Sequence, residues 1–310
     1  MRAWQCDDVR PIPGLFLGEV AMPRPALGRL LIKVHAFGVT PTELSWYPTT
    51  HLRSGEDRRH AIPAHEFSGI VSEASPELNI EVGQEVFGMN DWFDNGAAAE
   101  FCCASPAAII AKPTGLTHAT AASIPIAGLT AWQGLFDYAG LKTGERVLIH
   151  GGSGSVGAFA IQLARRLNAH VFTTASAKNR DQLLRLGAER VIDYHSEQFE
   201  EIVGKVDVVF DAVGGPTLQR SWGVLGPNGR LVTVAASSEA MTDDRVKRCF
   251  FIVEPNMKQL RDIAGLVDSG DLESVIDTIV PFVQTADAYQ RRLASARGFG
   301  KAVVEVNSAD

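Results

Sequence analysis

Between Arg146 and Leu167 the chain reads RVLIHGGSGSVGAFAIQLARRL. A short apolar strand runs into Gly152-Ser153-Gly154-Ser155-Val156-Gly157, and an apolar-faced helix follows. Turns of this kind hold phosphates. Gly152 permits the tight turn, Gly154 leaves no Cβ between the backbone and a pyrophosphate, and Gly157 lets helix and strand pack closely. The unpaired N–H groups and positive dipole end of the helix then face the phosphates. A bare G-x-G-x-x-G is a common turn. Lodged between strand and helix, this one predicts a dinucleotide site at Gly152, Ser153, Gly154, Ser155, Val156 and Gly157.

An NAD site places Asp or Glu about 20 residues past the glycines, to accept the ribose 2′-hydroxyl. Here Thr173 to Arg180 reads TTASAKNR, and Ala175 and Ser176 occupy that place. A carboxylate there would repel a 2′-phosphate. Ser176 can hydrogen-bond one, and Lys178 and Arg180 can neutralise it. The expected cofactor is therefore NADPH. The plain alternative for Lys178 and Arg180 is a solvated helix start. Tyr194, after the next strand, either closes over the same phosphate or packs. No Ser-His-Asp or Cys-His nucleophile set is evident.

The elements that must position this turn change character along the chain. Up to Lys112-Pro113 the sequence is β-rich: Leu30 to Val34, Phe67 to Val71 and Glu85 to Phe87 are short apolar segments between Pro and Gly turns. Beyond it, strands and helices alternate. Thr117 to Ile124 and Gly128 to Ala139 read as helices, Arg146 to His150 as a strand and Val156 to Asn168 as a helix with Ile161, Ala164 and Leu167 inward. Strands at Val171 to Thr174, Arg190 to Asp193, Val206 to Asp211 and Arg230 to Ala235 follow, with a helix at Arg180 to Leu186. Such alternation implies a parallel sheet covered on both faces. Helices Asn256 to Ser269 and Ala286 to Ala296, and strands Val275 to Val280 and Ala302 to Val306, complete the chain.

With 310 residues, two domains are expected. The hydrophobic share of 45% suits a full core that needs neither disulfide nor metal to fold. The net charge of −7 speaks mildly against nucleic-acid or membrane partners, which are polyanionic. Cys6, Cys102, Cys103 and Cys249 form no C-x-x-C pair and are read as reduced thiols of a cytoplasmic protein. MRAWQCDDVRPIP lacks the pattern of a signal peptide, and no transmembrane run is expected.

KVHAFGVTPTEL (33–44), IPAHEFSGIV (62–71), ASIPIAGLTAW (122–132), the glycine turn, LGAERVIDY (186–194), DVVFDAVGG (207–215) and FFIVEPN (250–256) carry a resemblance that covers almost the whole chain. With them the sequence resembles the medium-chain dehydrogenase/reductase superfamily, and within it the zinc-less quinone reductases related to zeta-crystallin. The resemblance implies an α/β fold: a GroES-like β-rich domain (1–114 and 271–310) plus a Rossmann doubly wound domain (115–270), with the cleft between them. It implies a homodimer joined through sheet edges, with Phe250 to Val253 as a candidate edge. It also implies that Ala235, Phe251 and Val253 lie near the nicotinamide and Val213 near the adenine-side ribose.

Zinc-dependent members of the superfamily place a Cys where this chain has Thr40 and a His-Glu where it has His65-Glu66. The third ligand region reads Pro125-Ile126-Ala127-Gly128, with no ligand. One His cannot hold a catalytic zinc, which needs three protein ligands. A His65, Glu66 and Glu43 site is the remaining metal alternative. Zinc-less members often carry Asn at the Thr40 position, so Thr40 is a departure. Thr130 matches the threonine of the family's LTAW-like motif. Without a Lewis acid the fold supplies orientation and exclusion of water, which suits acceptors that are already electron-poor. The expected substrates are quinones or α,β-unsaturated carbonyls, with Thr40 and Thr130 as candidate proton donors. Trp46, Tyr47, Trp92 and Phe93 either line the substrate pocket or cover the small domain's core. A zinc alcohol dehydrogenase and a low-turnover NADPH-binding sensor or structural protein are the competing readings.

Overall fold

The computed structural model describes residues 1–7, 13–78, 80–239, 241–293 and 296–306. Strands β1 (Arg2–Cys6) and β2 (Leu15–Glu19) form an antiparallel pair at one end. Next come β3 (Leu30–Val39), β4 (Glu66–Ala74), β5 (Glu85–Met89), β6 (Phe101–Ala104) and β7 (Ile109–Ala111). β3 runs five residues further than the apolar segment Leu30 to Val34 suggested. Its second half, Ala36 to Val39, is paired by a strand from the chain's far end, a partner outside any local window.

The parallel sheet is built from β8 (Arg146–His150), β9 (His170–Ala175), β10 (Arg190–Asp193), β11 (Val206–Asp211) and β12 (Leu225–Thr233). Their order is β10-β9-β8-β11-β12, a doubly wound five-stranded sheet. Strand order reverses between β8 and β11, and ligands bind in the crevice outside the carboxyl ends of the strands at such a point. The helix Ser155–Arg166 leaves β8 there and buries Phe159, Ile161 and Ala164, while Leu167 is half-buried. Phe250 meets β12 through one parallel bridge at Thr233, and Phe251 and Val253 are buried in the chain's own core. Of that segment Ile252 is the exposed apolar side chain.

Strands β13 (Ile276–Pro281) and β14 (Lys301–Glu305) return the chain to the first sheet. They complete a seven-stranded sheet, β13-β14-β3-β4-β5-β7 with β6 on β3. Phe37, Phe67 and Phe282 are fully buried on it. The helix His118–Ala122 packs there too, with Ala119 and Ala122 against Ala36 and Val303. The helix expected over Ala286 to Ala296 stops at Tyr289, because Arg291 adopts a left-handed conformation (φ 54°); Ala294 and Ser295 lie outside the described residues. The helix expected over Gly128 to Ala139 divides into Pro125–Trp132 and a wider turn, Gln133–Tyr138. All four cysteines are free thiols, with Cys102 buried and Cys103 half-buried on opposite faces of β6. Among the described residues no helix is long and apolar enough to cross a membrane.

Candidate active site

A cavity of about 840 Å³ opens where the two sheets meet. One wall is the glycine turn: Gly151, Ser153, Gly154, Ser155, Val156 and Gly157 line it. Gly151, rather than Gly152, takes the left-handed conformation of the turn (φ 81°). Gly152 is glycine for space, since a Cβ would sit 2.1 Å from Thr173 Oγ1. A Cβ at Gly157 would sit 2.3 Å from the Gly151 carbonyl oxygen, so the helix can start this close only without one. At Gly154 the nearest protein atom to such a Cβ is 3.4 Å away. That face is open to the cavity, a cradle for a phosphate rather than a packing contact.

The lining runs to Lys178 and Tyr194 beyond β9 and β10, and to Val213 at the reversal point. Lys178 Nζ donates to the Arg297 carbonyl at 3.1 Å. Tyr194 is 60% exposed. Glu197 also lines the cavity, but its carboxylate accepts from Arg180, Arg190 and the Asp193 amide, and these partners hold it below the usual carboxylate range. Arg180 is thereby turned to Glu197, and neither it nor Ser176 is among the lining residues. His150, at the end of β8, is fully buried between Thr174 Oγ1 (3.0 Å) and Ser221 Oγ (2.9 Å). Burial pushes its imidazole down to about 4.

On the opposite wall stands Thr40, which follows β3. Ala302 of β14 lies opposite Val39, so the next pair outward sets Lys301 across from Thr40. Lys301 Nζ donates to Thr40 Oγ1 at 3.0 Å and lies 2.5 Å from Glu66 Oε1. Glu66 is fully buried and its Oε2 accepts from the Ile126 amide at 2.9 Å. Burial pushes the Glu66 carboxyl up, while the Lys301 ammonium and the Ile126 N–H pull it back. Gly38 makes room for this pair: a Cβ there would lie 2.4 Å from Glu66 Oε1. Glu43 is equally buried and accepts from the Tyr289 hydroxyl and the Ala64 amide. Burial and this carboxylate push the Tyr289 phenol far above its ordinary value. His65 Nδ1 faces Glu43 Oε2 at 2.8 Å and its Nε2 faces the Asp94 carbonyl at 3.2 Å.

The remaining expected site residues fall elsewhere. Thr130 is buried and gives its proton to the Ile126 carbonyl at 2.6 Å, inside its own helix. In this bond it has no proton for a substrate, so Thr40 alone of the two threonines fits the donor role. Ala235 packs over Gly214, and Phe251 stacks on Tyr138. Trp92 Nε1 donates to the Val253 carbonyl at 3.2 Å, while its ring meets Trp46 edge-on and packs beside His65. Tyr47 stacks on His51, and Phe93 lies under the Arg53 guanidinium. None of these aromatics is among the cavity's lining residues. Sequence reasoning missed Lys301, Arg297, Gly298 and Gly300, which close the cavity from the C-terminal loop. The Gly300 amide donates to the Ser153 carbonyl at 2.9 Å, and Asp277 accepts from the Arg297 and Gly298 amides. The legible signal was RGFGK, two glycines set between cations just before the last strand.

A mixed, mostly antiparallel sheet set against a doubly wound parallel sheet, with a glycine turn at the crevice, is the frame of a dinucleotide-binding oxidoreductase. Residues 26–129 match the alcohol dehydrogenase GroES-like domain, and residues 186–304 match the zinc-binding dehydrogenase family. The quinone oxidoreductase from Coxiella burnetii superposes with a TM-score of 0.88 at 33% identity, over 99% of both chains. A human mitochondrial NAD(P)H oxidoreductase is 32% identical, over 89% of this chain and 81% of its own length. A mycobacterial protein solved in complex with NADPH superposes with a TM-score of 0.78 at 26% identity, over 98% of this chain and 100% of its own. The chain belongs to the medium-chain dehydrogenase/reductase superfamily, in its quinone oxidoreductase branch.

Proposed function

We propose that this protein is an NADPH-dependent reductase of quinones or α,β-unsaturated carbonyls that works without zinc. The observation that carries the reading is the Lys301 ammonium bound to both Thr40 and Glu66. Thr40 stands at the superfamily's first metal-ligand position, and its oxygen accepts from a cation. His65, at the second, has both ring nitrogens turned to protein oxygens. Among the described residues no group of three or more His, Cys, Asp or Glu side chains is placed to hold a metal. These residues do not fit a catalytic zinc.

They do fit a dinucleotide. The first-turn amides of Ser155–Arg166 and the open face of Gly154 would take the pyrophosphate. β9 ends at Ala175 with no carboxylate, and Lys178 and Tyr194 line the same end of the cavity, which favours a 2′-phosphate over a free 2′-hydroxyl. The bound cofactor would supply hydride to the electron-poor carbon of the acceptor. Thr40 would then provide the proton for its oxygen. The competing charge, Glu197, is already neutralised by Arg180 and Arg190. The test is cofactor choice with 1,4-naphthoquinone and a small enone. NADPH should exceed NADH in kcat/KM by about tenfold or more, one phosphate–lysine contact being worth roughly 1.5 kcal/mol or above. Equal values would defeat the cofactor assignment. The proposal retains a cytoplasmic homodimer, for which light scattering should report twice the chain mass.

A further inference from the structure

We propose that Lys301 is a positioning residue for proton delivery, donating to the Thr40 oxygen so that the Thr40 proton is aimed into the cavity and replaced once it leaves. This rests on the reductase reading above. Lys301 is 4% exposed, although a lysine ammonium is among the most costly groups to bury. Glu66 accounts for its charge. An ammonium has three N–H donors, and Glu66 does not use them all: beside the Glu66 carboxylate, Nζ also donates to Thr40 Oγ1. That second bond goes to a hydroxyl that lines the cavity.

A hydroxyl has one proton and two acceptor lone pairs. With one lone pair held by an ammonium, the Thr40 proton is left for a second partner and becomes a stronger donor. Sheet register makes the arrangement rigid. β14 fixes Lys301 opposite Thr40 on one side of β3, and β4 brings Glu66 over Gly38 from the other. The balance is simple. Hydride from the reduced nicotinamide forms a C–H bond at the acceptor, which is reduced by two electrons as the nicotinamide is oxidised. The carbonyl oxygen gains the displaced electron pair and forms an O–H bond as the Thr40 O–H breaks. An Nζ–H proton of Lys301 restores Thr40, and water entering the cavity restores Lys301.

The test is a cycle between Thr40→Val and the charge-balanced pair Glu66→Gln/Lys301→Met, which leaves no lone ion buried. Each should lower kcat for NADPH-driven naphthoquinone reduction by about 10- to 100-fold, with the KM for NADPH within about threefold of wild type. All three changes together should cost no more than Thr40→Val alone, since Lys301 then has nothing to act through. Lys301→Arg should recover most of kcat. A second readout needs no turnover: the side-chain 15N resonance of Lys301 in cofactor-free protein should shift in Thr40→Val. Losses that multiply, or a resonance that stays in place, overturn the proposal. If wild type reduces no quinone or enone while the resonance moves, the reductase reading falls and the Lys301–Thr40 coupling stands.

Discussion

The cavity's two walls are built on opposite plans. The glycine turn is made by consecutive residues, uses backbone N–H groups and depends on the lack of side chains at Gly152, Gly154 and Gly157. The facing wall is made by Thr40 at the end of β3, Glu66 of β4 and Lys301 of β14, which are separated in sequence and use buried charge. The first plan would be tolerant in its binding, because a phosphate there would be held by several weak donors at once. The second is brittle, because removing one partner leaves an ion in a dry interior.

That contrast can be broken by substitution. Lys301→Met strands the Glu66 carboxylate, whose remaining donor is the Ile126 amide. It should cost about 3–5 kcal/mol in denaturant unfolding, and adding Glu66→Gln should recover most of it. If Lys301→Met is neutral, the ion pair does not organise this wall. His150 sets the next largest effect, on the other wall. Its folded-state value is depressed to about 4, so the unfolded chain binds more protons between there and its ordinary value. Stability is then full above pH ~6.5 and falls by about 3 kcal/mol as pH drops through 4. His150→Asn should flatten that part of a pH–stability curve.

Smaller effects sharpen the comparison. Gly157→Ala pushes a methyl into the Gly151 carbonyl and should cost about 1–3 kcal/mol while weakening NADPH binding more than it changes kcat. Lys178→Ala should weaken NADPH by about tenfold and leave NADH unchanged, read by quenching of intrinsic fluorescence. Arg180→Ala, whose guanidinium is turned to Glu197, should change either affinity by well under 1 kcal/mol. A loss equal to that of Lys178→Ala would place Arg180 on the 2′-phosphate after all.

The same contrast explains what could be read from the chain itself. β8, β10 and β11 lie where the alternating apolar runs placed them, because βαβ units are local and their glycine turn is contiguous. The other wall was only half legible. Thr40 was conspicuous as an altered ligand position and His65-Glu66 as a retained one, yet Lys301 was not, because its role comes from a β3–β14 pairing across most of the chain. For the same reason β3 was read too short. The partner of Thr130 was not legible, because no local pattern reveals which acceptor a helical threonine has chosen. Trp92 bonds the carbonyl of Val253, a partner that only the assembled fold brings near.

The measurement closest to the central claim is metal dependence. Protein stripped by chelator and checked by elemental analysis should reduce naphthoquinone with NADPH at the untreated rate while holding well under one zinc per chain. Activity that vanishes on stripping and returns in proportion to added zinc would contradict the account.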